Sequence, residues 1–145
     1  MLIALLRYLN KKMNGCKMFN EEWINKYQTA WNSEPGLADA LHQINFNSVI
    51  AYGYDNEEQP AAVIHVEDGH VVSAGLYQGE TVNWDLRASS DNWDKWKKKP
   101  PGMMGLGIAY STGKLKFNVG DYAAMVKDPR MAGPFIKSFA VMGKV

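Results

Sequence analysis

The segment PPGMMGLGIAYSTGKLKFNV, from Pro100 to Val119, is the most informative part of the chain for its fold. A Pro-Pro-Gly break is followed by an apolar segment of helical length, which has no charged residue from Met103 to Thr112. A glycine then ends the helix, and an alternating strand follows from Lys114 to Val119, with Leu115, Phe117 and Val119 on one face. The helix therefore has no polar face that would lie against solvent. We therefore expect it to be buried on most sides, beneath a sheet.

Two interpretations of this helix remain open. Three glycines and two methionines lower its helix propensity and the precision of its packing, which suits the adaptable wall of an apolar pocket. Apolar stripes, however, most often belong to an ordinary core. From these residues alone, the core is the favoured interpretation.

The composition describes one globular domain. The chain has 145 residues, of which 46% are hydrophobic and 21% charged, and its formal net charge is +1. Such a balance gives no field that would recruit nucleic acid, so partners must be recognised by shape and apolar contact. The single cysteine, Cys16, excludes an intrachain disulfide and a cysteine-based zinc site, and it is typical of a reducing compartment. We predict a cytoplasmic protein.

Residues 1–17 differ from the rest of the chain. They have apolar residues at helical spacing and are too short to span a bilayer, and the positive charge follows the apolar run, unlike in a signal peptide. They can form an interfacial anchor, a helix packed on the domain or on a second copy, or an upstream extension. We favour the extension, because a complete helix start follows it. Asn20 is placed to cap that helix, and Phe19 to pack on Ile24.

The remaining chain, residues 18–145, alternates between helical and strand patterns. The first helix buries Trp23, Ile24, Tyr27 and Trp31, and a second helix begins at Pro35. Short turns then separate four strands, which predicts an antiparallel meander. The strands are expected at Ser48 to Tyr54, Ala61 to Glu67, His70 to Tyr77 and Thr81 to Ala88.

The last of these strands predicts a sheet with one covered and one wet face. Val82, Trp84 and Leu86 point one way, and Asn83, Asp85 and Arg87 point the other. Ser89 and Ser90 begin a helix that ends in a lysine run, which we interpret as a solvated helix end rather than an anion site. Two more helices follow the strand from Lys114, and Met131, Phe135, Phe139 and Met142 share one face of the last helix.

The motifs of catalysis are incomplete. The serine at Ser111 lacks the flanking glycines of a nucleophile elbow, and the Gly113-Lys114 pair lacks the spacing of a phosphate loop. His65 and His70 have no metal-ligand spacing and are interpreted as polar strand-end residues. Asp85 and Arg87 have the pattern of a surface ion pair. We predict no enzyme, no cofactor and no metal site.

The order of these features resembles the sterol carrier protein type 2 family, and most closely its small, single-domain bacterial members. The similarity covers roughly Met18 to Val145, and its most specific parts are Ala88-Ser89-Ser90-Asp91 with Trp93, and Gly113-Lys114-Leu115-Lys116. The resemblance implies an α/β (α+β) domain. Its five-stranded, mostly antiparallel sheet would be covered on one face by helices, with an apolar tunnel between the layers that holds acyl chains, sterols or other lipids.

We therefore expect non-enzymatic binding or transfer of a hydrophobic small molecule. The alternative is an accessory module that presents an apolar substrate to a separate enzyme. Partners would be the lipid ligand and, at most, a transient membrane surface, with no nucleic acid and with a homodimer left open. Nine residues are predicted to line the site, all of them apolar: Trp84, Met103, Met104, Leu106, Ile108, Phe117, Phe135, Phe139 and Met142.

Overall fold

The computed structural model describes residues 2–7 and 18–145. Residues 2–7 form a short helix, α1, with exposed side chains, while Leu9, Met13 and Cys16 lie outside the described residues. The elements after it are α2 (Glu21–Asn32), α3 (a π-helical turn, Pro35–Asp39, continued by Ala40–His42), β1 (Ser48–Tyr54), β2 (Ala62–Glu67), β3 (His70–Leu76), β4 (Trp84–Ala88), α4 (Ser90–Lys98), α5 (Met103–Ser111), β5 (Lys116–Val119), α6 (Tyr122–Lys127) and α7 (Pro129–Met142).

Side-chain caps begin five of these helices, including α3, where the Glu34 carboxylate accepts a hydrogen bond from the Gly36 amide at 3.2 Å. The Asn20 Oδ1 accepts a hydrogen bond from the Trp23 amide at 2.8 Å, and the Ser89 Oγ accepts one from the Asn92 amide at 3.1 Å. The carboxylates of Asp121 and Asp128 cap α6 and α7 in the same way. The predicted cap at Asn20 is confirmed, and so is the buried stripe of α2. Local chemistry therefore sets where these helices start.

The five strands form one mixed sheet in the order β3-β2-β1-β4-β5. Three neighbouring pairs are antiparallel, whereas β1 and β4 are parallel, with Ile50 opposite Trp84. The predicted five-stranded, mostly antiparallel sheet is confirmed, but the predicted four-strand meander is wrong. A parallel neighbour needs a connection that crosses the sheet. Residues 77–83 make that crossing between β3 and β4.

The centre of the second face of the sheet is buried, contrary to the expectation of a wet face. Asp85 is 6% exposed and Arg87 is 2% exposed. The crossing segment covers this face, because the His65 Nε2 lies 3.3 Å from the carboxylate of Glu80. The β1–β2 turn covers the end beside Arg87, which donates to the carbonyls of Tyr54 and Glu57. The predicted surface ion pair is thus an internal one.

The helices cover the other face and form an aromatic core there. The Trp93 indole donates to the Gly53 carbonyl at 2.9 Å, which ties α4 to the sheet. The ring of Phe19 lies 5.0 Å from that of Trp93, and the ring of Phe139 stacks on it at 6.0 Å. Helices α2, α4 and α7 therefore share one core with the sheet.

Helix α5 departs from the sequence prediction. Leu106 and Ala109 are its only buried residues, whereas Met104 is 80% exposed and Ile108 is 55% exposed. The expectation that α5 is buried on most sides is therefore wrong. Apolar residues occur on every side of this helix, so the sequence does not indicate that only one side packs against the domain.

Candidate functional site

A small cavity lies between the helix-covered face of the sheet and helices α2, α3, α6 and α7. Its volume is about 50 Å³. The lining residues come from distant parts of the chain and are almost all apolar: Trp31, Leu37, Leu41, Phe46, Ile50, Tyr52, Trp84, Leu86, Met125, Met131, Pro134, Phe135 and Ser138. The cavity is the best candidate for a binding site, because apolar concave sites bind small ligands by burial.

Three of the four polar side chains of the lining already have partners within the protein. The Trp31 indole donates to the Gly69 carbonyl at 2.9 Å, and the Ser138 hydroxyl donates to the Phe135 carbonyl at 2.6 Å. The hydroxyls of Tyr52 and Tyr27 lie 3.4 Å apart, and burial raises the pKa of Tyr52 above its usual range. With these groups paired, the cavity has little to offer water. It favours an apolar occupant.

At this volume the cavity is too small for a lipid. A water molecule needs about 10–15 Å³ of such space, so the cavity holds roughly four water-sized molecules. An acyl chain would have to displace side chains of the lining. Met125 and Met131 are the adaptable members of that lining, since an unbranched thioether changes rotamer easily.

An open surface cleft adjoins the cavity. The cleft has a volume of about 400 Å³ and shares Trp84, Met125 and Met131 with the cavity. We call these three residues the portal. Its polar surroundings include Asp121 and Asp128, and the Arg130 guanidinium beside Asp128 lowers the pKa of that carboxyl. A ligand that enters through the portal would leave its polar end among these groups.

The structure divides the nine residues that the sequence predicted for the site. Trp84 and Phe135 line the cavity together. Phe117 and Phe139 contact the ring of Phe135, at centroid distances of 5.9 and 5.3 Å, but lie behind it. The other five belong to two groups outside the lining: Leu106 and Met142 are buried in the core, and Met103, Met104 and Ile108 are exposed on α5.

Sequence reasoning missed most of the lining. Leu37 and Leu41 have the spacing of inward-facing residues of α3, but that spacing does not show that they meet β4 and α7. Met125 follows Tyr122 by three residues, which is the spacing of one helix face, and this was the available signal. No local pattern could show that α6 would close a cavity.

A second surface depression lies beside the start of α2. It is larger, with a volume of about 830 Å³, and its lining includes the carboxylates of Glu21, Glu22 and Glu57. These charged groups would lose hydration against an apolar ligand. This depression therefore suits such a ligand less well than the cavity.

The histidines of the described residues are dispersed. His65 pairs with Glu80, whereas His42 lies 3.0 Å from the Asp68 carboxylate and its ring is 6.1 Å from that of His70. No cluster of three or more His, Cys, Asp or Glu suited to a metal occurs within residues 2–7 and 18–145. In the same part of the chain, no helix has the length and apolar character to cross a membrane.

Solved structures share this fold. The crystal structure of sterol carrier protein 2 matches with a TM-score of 0.71 and 17% identity, over 89% of this chain and 99% of that one. A conserved hypothetical protein of Thermus thermophilus, described as a candidate sterol carrier protein, matches with a TM-score of 0.60 and 19% identity, over 89% and 92%. The ubiquinone synthesis protein UbiJ-SCP2 has a TM-score of 0.52 and 11% identity, over 81% and 85%. The chain therefore has the sterol carrier protein 2 fold, as the resemblance predicted.

The sequence comparisons give a different and partial likeness. No family model matches the chain. The capsid protein of chicken anemia virus, isolate Australia/CAU269-7/2000, is 43% identical over 60 residues, which are 40% of this chain and 13% of the capsid protein. The capsid protein of isolate Australia is 40% identical over 74 residues, which are 50% of this chain and 15% of that capsid protein. The chain thus spans about an eighth to a seventh of the length of these relatives.

Proposed function

We propose that this chain binds a hydrophobic small molecule, such as a fatty acyl chain or a sterol-like lipid, and transfers it without catalysis. The observation that carries the proposal is the apolar cavity beneath the sheet, in whose lining three of the four polar side chains are already paired inside the protein. The fold of sterol carrier protein 2 supports the same class of ligand.

Burial alone gives such a site enough affinity. A sixteen-carbon chain that loses roughly 400 Å² of apolar surface gains about 10 kcal/mol at 25 cal/mol per Å². The cost of association offsets part of this gain, which leaves dissociation constants in the micromolar range. Polar contacts are needed only for the end of the ligand that stays at the portal.

Binding on this proposal requires the cavity to expand. Met125 and Met131 would move aside at the portal, because α6 has only six residues and Met131 is partly exposed. Rotation of Phe135 would then bring Phe117 and Phe139, which contact its ring, into reach of the ligand. In this way the three phenylalanines predicted from the sequence, Phe117, Phe135 and Phe139, would line one site together with Trp84.

The absence of catalysis is part of the proposal. The residues that line the cavity include no histidine, carboxylate, thiol or amine, and burial raises the pKa of Tyr52, so the lining has no group that would act as a base near neutral pH. An accessory role, in which the chain presents an apolar substrate to a separate enzyme, would use the same cavity. The likeness to UbiJ-SCP2, a ubiquinone synthesis protein, supports keeping this second candidate.

A displacement titration with a fluorescent fatty acid tests the proposal, together with native mass spectrometry of protein purified without detergent. Ser138→Leu should fill the cavity and lower affinity for the probe by at least about tenfold, because the new side chain occupies the space that the ligand needs. Ala123→Leu, at an exposed position of α6, is the matched control and should bind as the wild type does.

Two results would contradict the proposal. One is a wild-type protein that carries no lipid and does not bind the probe. The other is a Ser138→Leu variant that is folded by circular dichroism and binds with unchanged affinity. Should Ser138→Leu fail to fold, Leu41→Phe fills the same cavity from α3 and takes its place.

A further inference from the structure

The outer face of α5 is apolar and uncovered. Met104 and Ile108 are four residues apart and therefore share one side of the helix, where they are 80% and 55% exposed. Met103 lies beside Met104 and is 43% exposed, whereas Tyr110, at 40%, packs on the ring of Tyr122. A helix that is apolar all round normally lies in a core or in a membrane. Here one side, at Leu106 and Ala109, is in the core, and the other has no cover from the described residues.

Lysines bracket this helix at both ends. From Lys95 to Lys116 the chain has six lysines and no acidic residue. The other ten basic residues and all fifteen acidic ones lie elsewhere, so the rest of the chain has a formal charge of −5. The positive charge of this protein is therefore concentrated around an uncharged helix.

Chain geometry keeps Lys99 and Lys114 close to the apolar face. Lys99 precedes Met103 by four residues, so their Cα atoms are at most about 14 Å apart. At the other end, the Lys114 amide donates to the Ala109 carbonyl at 2.8 Å, which holds Lys114 against the last turn of α5. Of the six lysines, Lys116 has an acidic neighbour, the Asp55 carboxylate, at 4.0 Å.

We propose that the outer face of α5 docks on an anionic lipid bilayer. A nine-residue helix is about 13.5 Å long and would lie in the plane of the interface, with Met104 and Ile108 among the upper acyl chains. The lysines at both ends would then contact lipid phosphates. This inference goes beyond the proposed function, because docking on a bilayer does not depend on the cavity.

The charges favour a bilayer over a second copy of the chain. A twofold interface through α5 would bring two sets of six lysines together, and their repulsion would oppose the apolar contact. An anionic surface instead gains from each lysine, by about fivefold in affinity. Complementary charge is thus what identifies the occupant.

Co-sedimentation with vesicles tests the proposal with the full chain. Wild-type protein should bind vesicles of phosphatidylcholine and phosphatidylglycerol, and should bind pure phosphatidylcholine far more weakly. Lys97→Gln, Lys98→Gln and Lys99→Gln together should weaken binding to the mixed vesicles on the order of 100-fold. Added salt should weaken the binding of the wild type as well, since it screens the lysines.

The apolar face is tested by Met104→Gln with Ile108→Gln, which should weaken binding by at least about tenfold. Val72→Gln with Leu76→Gln is the matched control. These two apolar residues of β3 are 51% and 47% exposed at the far edge of the sheet, and their replacement should leave vesicle binding unchanged.

Three outcomes would overturn the proposal. The first is a wild-type protein that does not bind the anionic vesicles. The second is a Met104/Ile108 variant that binds the vesicles as tightly as the wild type does. The third is a wild-type protein that forms a dimer and does not bind vesicles, and whose dimer the Met104/Ile108 variant converts to a monomer. A parallel titration with a fluorescent fatty acid, without vesicles, keeps the two proposals apart. The α5 variants should retain that binding, so a failure of docking leaves the cavity proposal standing.

Discussion

Arg87 and Asp85 form a buried ion pair on the sheet face opposite the helices. The Arg87 Nε donates to one carboxylate oxygen at 2.6 Å, and its Nη2 donates to the other at 3.0 Å. The remaining N–H groups of Arg87 donate to the carbonyls of Tyr54, Glu57 and Glu58. All five guanidinium donors are thus used, and the β1–β2 turn is fastened to β4.

Replacing Arg87 with Met should lower the free energy of unfolding by about 3–5 kcal/mol, because the carboxylate of Asp85 would stay buried without its partner. Urea unfolding followed by circular dichroism measures the loss. The double variant Asp85→Leu with Arg87→Met should recover part of it, since no charge is then left in the interior. An equal loss in both variants would show that the carbonyl contacts, not the pair, hold the turn.

Phe135 and Phe139 should respond differently to truncation. Phe139 is 1% exposed, stacks on Trp93 and meets Trp96 edge-on, so Phe139→Ala should cost about 3–5 kcal/mol. Phe135 borders the cavity and is partly exposed, so Phe135→Ala should cost less than about 3 kcal/mol and weaken binding of a fluorescent fatty acid more than it weakens the fold. Equal destabilisation by both substitutions would argue for a solid core.

The portal predicts a kinetic effect. Met131→Ala removes a flexible side chain that lies between the surface cleft and the cavity, so the fluorescent fatty acid should associate several-fold faster in a stopped-flow experiment. Met103→Ala, at an exposed site on α5, should leave the rate unchanged. If both variants associate at the wild-type rate, ligands do not enter beside Met131.

Alkaline pH should destabilise the fold through Tyr27 and Tyr52. Burial raises the pKa of both phenols above the value of about 10 that they have in the unfolded chain. Below pH 10 both are neutral in either state. Above it the unfolded chain loses these protons first, so the free energy of unfolding should fall by up to about 1.4 kcal/mol per pH unit for each tyrosine.

Urea unfolding measured between pH 9 and about 11.5 gives this slope, because that pH range spans the pKa of tyrosine in the unfolded chain. Tyr27→Phe should reduce the slope, because one of the two most deeply buried phenols is gone; Tyr54 and Tyr122, whose pKa values burial also raises, keep their share of it. Tyr77→Phe, outside this core, is the control. A slope that Tyr27→Phe does not change would assign the alkaline transition to other groups.

Removing residues 1–17 should leave the melting temperature and ligand binding almost unchanged. The fold of the domain uses Phe19, which is 2% exposed among four aromatic rings, and the Met18 carbonyl, which accepts a hydrogen bond from the Tyr54 hydroxyl. Phe19→Ala in the full chain should instead cost about 3 kcal/mol or more. A large drop in melting temperature on truncation would make residues 1–17 part of the domain.

Much of the local structure could be predicted from the sequence. Asn20 and Ser89 identified two helix starts, and the positions of Trp23, Ile24 and Tyr27 identified the buried side of α2. These features depend on neighbours within one turn of helix, which is why a pattern of residue types reports them. The bacterial origin and cytoplasmic location stay predictions.

The same alternation that placed Trp84 and Leu86 together on β4 could not say what would cover the face of Asp85 and Arg87. That depended on the crossing of residues 77–83, which puts β4 parallel to β1. Residue patterns thus predict the approximate positions of the strands, the caps at Asn20 and Ser89, and which residues share a face of an element. The tertiary structure alone decided the strand order, the internal ion pair, the exposed side of α5 and the lining of the cavity. Periodicity records which residues share a face, but contacts between distant elements determine whether that face meets protein or solvent.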